Sequence, residues 1–485
     1  MMPSIFLIGI LIRFLANAMI LIKEADKDHS ERRNVADQWF CARAPPGRLF
    51  RLDAGRLSDD ALLPQNCATE IIERKFREVT MSRQSCTMLT AALLCATFPA
   101  LGQQLPDGPG KELAQANCNI CHTLLSRVGA GYTPEGWNTV LQMMINQGAP
   151  LAADQIEPLK AYLIKNFPEK GKPAGAVIPG PAKISFREWQ APTPGSRPHD
   201  PLAASDGSLW YTGQLANVLG RVDPNTGEIR EFRLKTAHSG PHGLKEDSGG
   251  NIWYTGNTGS LIGKLDPKTG TVTEYPTPES GDPHTLIFDN TGILWFTMQN
   301  ANRIGRLDPR TGEIKLLTPP TANARPYGMA LNSKGIVFFV EFGTNQVGSV
   351  DPRTLEFREY KLPDPSSRPR RIAITSDDIV WYSDYSRGYL GRLDPSTGKV
   401  TEWPSPSGPK SEPYGISAIS EVIWYSESGS TPNTVVRFDP RTETFQSWAI
   451  PGGGNIVRNT SVTRDGNFLL ANSLVNGVTL VTIEK

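Results

Sequence analysis

Cysteine is scarce in this chain, and the places it avoids are informative. Of six cysteines in 485 residues, Cys41, Cys67, Cys86 and Cys95 fall within the first hundred positions, which leaves Cys118 and Cys121 for everything beyond. That shortage excludes a disulfide-stapled fold and, with no second Cys pair, a four-cysteine zinc site. An excess of one charge is also missing. The 50 basic residues stand against 49 acidic ones, a net +1, so no nucleic-acid footprint or acidic tail is expected. Histidine is rarer than tryptophan, with six against ten. Glycine and proline are plentiful, 45 and 40, and recur at turn positions rather than in one tract. That distribution predicts many short strands joined by tight turns.

The two remaining cysteines are two residues apart and precede a histidine: Cys118-Asn119-Ile120-Cys121-His122. A C-x-x-C-H run has the spacing for covalent c-type haem, in which each thiol adds across a vinyl group and the histidine is the proximal iron ligand. A bare C-x-x-C would leave zinc and dithiol redox chemistry open; the adjacent histidine narrows the reading to haem. Residues 103–170 read as a small all-α cytochrome c-like domain. A first helical stretch, Gly110 to Ala116, leads into the motif. A second starts at Pro134 and carries Trp137, Val140, Leu141 and Met144 on one face; a third runs from Ala153 to Asn166. His122 is the only histidine between 101 and 198, so the sixth iron ligand reduces to Met143 or Met144. The stretch from Tyr132 through Met144 to Gly148-Ala149 resembles small cytochrome c domains in which the Met before that Gly binds iron. The resemblance favours Met144, with Met143 the alternative.

Residues 81–102 carry Arg83, an apolar stretch and the small-residue site Ala100-Leu101-Gly102, the layout of a secretory signal peptide cut after Gly102. Export to the periplasm or beyond suits c-type haem attachment, with no stable membrane insertion after cleavage. Residues 1–80 then read as an over-extended start, with Met81 the initiator. The rival reading is an anchor over Pro3 to Ile22, where Arg13 would cost about 2.5–3.5 kcal/mol.

After a Pro/Gly linker at 171–182 the chain repeats. Trp210, Trp253, Trp295, Phe338, Trp381 and Trp424 recur at intervals of 43, 42, 43, 43 and 43. A second track, Asp-Pro-x-Thr, begins at Asp223, Asp266, Asp308, Asp351, Asp394 and Asp439, a hairpin-turn signal. Four short strands per unit of this length mark a β-propeller blade. Six full units and a three-stranded seventh, completed by Ile184–Trp189, predict a mainly β, seven-bladed propeller over 183–485 that closes by pairing its two ends.

In a propeller the start of each innermost strand and the end of the next share one rim. The residue eleven before each aligned aromatic (ten in the sixth unit) gives His199, His242, His284, Tyr327, Arg370, Tyr414 and Arg458. A companion set, three after, reads Gly213, Gly256, Met298, Glu341, Asp384, Glu427 and Asn472. Three histidines at one register could hold a second metal, such as zinc, copper, iron or magnesium, or act as acid–base groups beside Glu341 or Glu427. Arg370 and Arg458 would attract a carboxylate or phosphate.

Units such as Gly240-Pro-His-Gly243, Ile252-Trp-Tyr-Thr255, Leu261-Ile-Gly-Lys264 and Arg325-Pro-Tyr-Gly328 resemble the virginiamycin B lyase (streptogramin lyase) family over about 183–485. The resemblance implies a metal-dependent carbon–oxygen lyase, opening a cyclic depsipeptide ester by Mg-assisted elimination with His and Glu at the channel mouth. The site pattern is only partly present. The sixth unit has Tyr414 where that histidine is expected, although Glu427 remains, and the His242 unit ends its next strand in Gly256. The sequence therefore favours an exported haem electron-transfer protein or oxidoreductase. It would serve a redox partner protein or a small anionic or ester-containing substrate at the rim. A lyase, or a ligand- or protein-binding propeller with an accessory cytochrome, is the alternative.

Overall fold

In the computed structural model the described residues are 105–120, 122–126, 128–129 and 131–484. The expectations for residues 1–80, for the signal peptide at 81–102 and for Cys121 lie outside them. Among the described residues no helix is long and apolar enough to cross a membrane.

The helical segment holds α1 (Lys111–Cys118), α2 (Pro134–Asn146) and α3 (Ala153–Asn166). Helix α2 starts where the sequence offers a cap: Thr133 Oγ1 accepts the Gly136 N–H at 3.1 Å and Pro134 occupies the first turn. Its Trp137 and Leu141 pack with Leu124, Leu159, Tyr162 and Leu163 into one small core. The polar tips of the two large aromatics are satisfied, Trp137 Nε1–H on the Phe167 carbonyl at 2.8 Å and Tyr162 O–H on the Pro106 carbonyl at 2.7 Å. Helix α3 begins one residue before Asp154, and Gln155 rather than an acidic residue caps it, accepting the Ala152 N–H at 3.2 Å.

The remaining strands form seven four-stranded antiparallel sheets. Blades 1 to 6 take their strands in chain order over 198–233, 241–276, 283–317, 326–361, 369–404 and 413–449. Blade 7 has three strands from 457–483, and its fourth is Ile184–Gln190, paired antiparallel with Gly477–Ile483 from Ile184↔Ile483 to Gln190↔Gly477. The ring is thus fastened by its own N-terminal strand, as the sequence pattern predicts, and no sheet edge is left open at the seam.

Blades 1 to 5 repeat one packing device. The second strands are buried along their length, and their aromatics lie across the third-strand glycines. A Cβ on Gly220, Gly263, Gly305, Gly348 or Gly391 would sit 2.0–2.3 Å from the ring of Tyr211, Tyr254, Phe296, Phe339 or Tyr382. Only glycine fits beneath those rings, which explains the glycine in the Leu-Ile-Gly-Lys pattern. The linker is not a free spacer. Its backbone pairs at Ala174↔Thr431 and Ile178↔Ser447, so it runs along the outer edge of blade 6.

Candidate functional site

The channel mouth is built by a β-bulge in every blade. In blade 2 the pairing steps from Pro241↔Gly256 to Leu244↔Tyr254, so His242 and Gly243 together face Thr255; the other six innermost strands carry the same shift. A bulge breaks strand alternation, and two consecutive side chains per blade can then serve the channel. A hydroxyl clasp holds the arrangement. Thr255 Oγ1 accepts the Gly243 N–H at 2.8 Å and donates to the His284 carbonyl of the next blade at 2.7 Å. Thr212 bonds the Asp200 N–H and the His242 carbonyl, Thr297 the Thr285 N–H and the Tyr327 carbonyl, and Ser383 the Arg371 N–H and the Tyr414 carbonyl.

The seven predicted rim residues do come together. His199, His242, His284 and Tyr327 are buried and stack as a staircase, with successive ring centroids 3.7, 3.7 and 3.8 Å apart. Tyr327 and Tyr414 share a short hydrogen bond between their hydroxyls. The Arg370 guanidinium lies 3.9 Å from the Tyr414 ring and 4.1 Å from the Tyr385 ring. Arg458 donates from Nε to Ser473 Oγ at 2.8 Å.

Burial holds all three imidazoles well below the usual histidine range, and Arg458 or a neighbouring imidazole adds to it. They are neutral at physiological pH. Burial pushes the Tyr327 phenol up to about 12. Burial acts in the same direction on Tyr414, but Arg370, Arg458 and Arg371 outweigh it and leave that phenol below its ordinary value. Tyr414 is therefore the acidic member of the pair.

One step down the channel lies a second ring that the sequence reading missed: Asp200, Gly243, Thr285, Gly328, Arg371, Gly415 and Asn459. Asp200 of blade 1 accepts from Arg371 of blade 5 at 2.8 Å, and both side chains are 3% exposed. The same carboxylate takes Asn459 Nδ2–H at 2.8 Å and lies 2.9 Å from His199 Nδ1. Arg371 also donates to Thr285 Oγ1 at 3.0 Å, and His284 Nδ1 lies 3.1 Å from that hydroxyl. The pair spans the channel beneath the staircase. Its signal in the sequence was charged or polar side chains at a register where three blades carry glycine.

The companion carboxylates behave differently from their expected role. Glu427 accepts from Ser405 at 2.7 Å, Thr434 at 2.6 Å, the Ser407 N–H at 2.8 Å and the Ser407 hydroxyl. Glu341 accepts from Thr344 at 2.9 Å and Gln346 at 2.8 Å, and burial raises it to about 7. Asp384 accepts the Arg368 N–H at 2.9 Å and Arg387 Nη1 at 3.1 Å. None is hydrogen-bonded to a rim histidine. All three tie down loops at the strand ends, because strand alternation turns them away from the channel. The second-metal expectation meets a related obstacle. His199, Asp200 and His242 offer ligand atoms within 4.8 Å of one another, yet Asp200 already neutralises Arg371. A cation here would enter a mouth carrying Arg370, Arg371 and Arg458.

The helical segment sits on this same face. Asn146 donates to the Pro194 carbonyl at 2.8 Å and Gln147 to the Leu215 carbonyl at 2.9 Å, both on blade 1 loops at the mouth. Gly195 packs directly against the backbone of Gln142 and Met143, where a Cβ would come within 2.6 Å. A cleft of about 800 Å³ separates Glu135, Asn138 and Lys160 from Thr431, Asn433 and Asn455 of blades 6 and 7.

Comparison with known proteins agrees with this ring. A streptogramin B lyase structure is 27% identical, with a TM-score of 0.57, covering 62% of this chain and 98% of the lyase. A catalytically inactive histidine-to-alanine variant of virginiamycin B lyase from Staphylococcus aureus, with quinupristin, is 24% identical at a TM-score of 0.57, covering 62% and 99%. Hydrazine synthase of Kuenenia stuttgartiensis shares the fold at 15% identity and a TM-score of 0.50, covering 60% and 96%. No curated protein sequence matches the chain. The virginiamycin B lyase family model matches residues 175–475, the linker and nearly the whole ring, and the chain belongs to that family.

Proposed function

We propose that this protein is an exported c-type haem electron-transfer protein or oxidoreductase whose propeller binds a substrate or redox partner at its rim. The observation that carries the reading is the C-x-x-C-H run itself, whose Cys118 is the last residue of α1 in a helical segment hydrogen-bonded to mouth-side loops. The residues present suit the group. Cys118 is a free, partly exposed thiol beside an apolar core. His122 Nδ1 lies 3.4 Å from the Thr123 carbonyl, an orientation that leaves Nε2 as the iron ligand. Cys118 and Cys121 would hold the porphyrin, and His122 and Met144 would ligate the iron. Met144 shares a helical face with Val140 and Leu141, whereas the Met143 amide lies against Gly195. When bound, the haem supplies one-electron transfer.

A simple elimination needs no electron carrier, so the fused motif favours redox chemistry over the lyase reading. That second reading keeps the weight of family membership, but Tyr414 replaces the expected histidine and Glu427 is engaged by four donors. A metal-dependent lyase would require Glu427 to be released from them.

The test is a pyridine haemochrome assay with intact mass on protein exported by a host competent for haem attachment. One covalent haem is expected, on a chain beginning at Gln103, and Cys118→Ala with Cys121→Ala should lose it. Protein with no pigment retained after denaturation, yet able to open a streptogramin ester with Mg, would establish the lyase instead.

A further inference from the structure

We infer that the rim binds a small oxyanion, a carboxylate or phosphate, gripped by Arg197, Arg370 and Arg458 beneath the helical segment. The inference rests on the reading above and names the chemical class its rim accepts.

Charge is the first reason. Four guanidiniums surround the mouth, and only Arg371 has a carboxylate partner among the described residues, at 2.8 Å from Asp200. Arg197, Arg370 and Arg458 have none, and the three imidazoles between them are neutral. Positive charge this concentrated, in a partly dehydrated mouth, favours a bound counter-charge.

Geometry is the second. Arg370 is flanked by Tyr414, Tyr385, Phe342 and Tyr327 at 3.9, 4.1, 4.9 and 5.2 Å, and its buried Nε has no hydrogen-bond partner. Aromatic contact occupies the faces of the guanidinium and leaves its N–H edge for an acceptor. A planar or tetrahedral oxyanion meets that edge with two oxygens. Arg197 precedes the rim at a left-handed φ of 55°, and burial and then Arg458 repulsion hold it down to about 9. An anion between Arg197 and Arg458 removes that repulsion. A neutral ester leaves all three charges uncompensated, and a divalent cation adds to them.

The experiment is isothermal titration of the purified full chain, as produced, with acetate, succinate, inorganic phosphate and, separately, magnesium chloride. Saturable binding of at least one oxyanion is expected, and competition between the acetate or succinate and phosphate arms identifies which. Arg370→Gln and Arg458→Gln should each weaken it at least tenfold. Arg370→Lys, which keeps the charge but not the planar fork, should also weaken it. Thermal melts confirm folding, and Arg310→Gln, an exposed guanidinium paired with Asp308, should leave binding unchanged. No saturable oxyanion binding, binding indifferent to the arginine substitutions, or binding of magnesium alone would overturn the inference. Covalent haem on a protein that binds no oxyanion sinks this inference only. Oxyanion binding by a protein without haem sinks the electron-transfer reading and leaves this one standing.

Discussion

The rim is organised around a single carboxylate. Among the described residues Asp200 is the only acidic group touching the stacked histidines and Arg371, and removing its charge strands a buried guanidinium. Asp200→Asn should therefore destabilise the fold by about 3 kcal/mol in urea unfolding; a loss under about 1 kcal/mol would mean the pair contributes little. The histidines make a separate prediction. Their folded pKa values lie below the unfolded value, so the unfolded chain takes up protons first as pH falls. Stability should be flat above about pH 7. Below about 6.5 it should drop by up to about 1.4 kcal/mol per pH unit for each of the three. Denaturant midpoints at pH 7.5, 6.5 and 5.5 read this directly, and a smaller slope in a His199/His242/His284→Asn variant identifies the source. The upper ring was legible in the sequence because one register, counted from the aromatic track, falls on one rim. The lower ring was not. Period-2 alternation sends the residue after each rim position into the blade, and the bulge that keeps Asp200 and Arg371 in the channel has no composition signal of its own.

Blades 1 to 5 owe their repeat to the strand-two aromatic and the strand-three glycine. Gly263→Ala should cost about 2 kcal/mol, because the Tyr254 ring stands 2.0 Å from the new Cβ. Gly270→Ala, in a turn at φ 75° with nothing near, should cost only about 1 kcal/mol. Reversed costs would contradict the packing account. The linker is a second case at this scale. Pro173, Pro179 and Pro181 suit a semi-stiff spacer, yet the linker's polar backbone finds Thr431, Ser447 and Gln446 on an otherwise open edge. Gly175→Val would clash with the Pro432 carbonyl at 2.4 Å. Limited proteolysis should then cut between 171 and 182 at least tenfold faster than in the parent, while blade melting is unchanged.

Across the whole molecule, blade number and closure were readable because both are counting problems: five intervals between six aromatics, and one unmatched strand. The seating of the helical segment over the mouth was unreadable, since it depends on Asn146, Gln147 and Gly195, none of which carries a motif. A truncation beginning at residue 183 should melt cooperatively as a ring, whereas one beginning at 191 should aggregate, because blade 7 then shows an unpaired strand. Equal solubility of the two would show that the fastener is dispensable.

That fastener has a consequence for biogenesis. Ile184–Gln190 leaves the ribosome early, but its mate, Gly477–Ile483, is almost the last stretch to be made. Between those moments the head of the polypeptide must wait, tethered yet undocked, while nearly three hundred residues are synthesised. Under the proposed haem reading, Cys118 and Cys121 would stay reachable throughout that interval, before the torus locks.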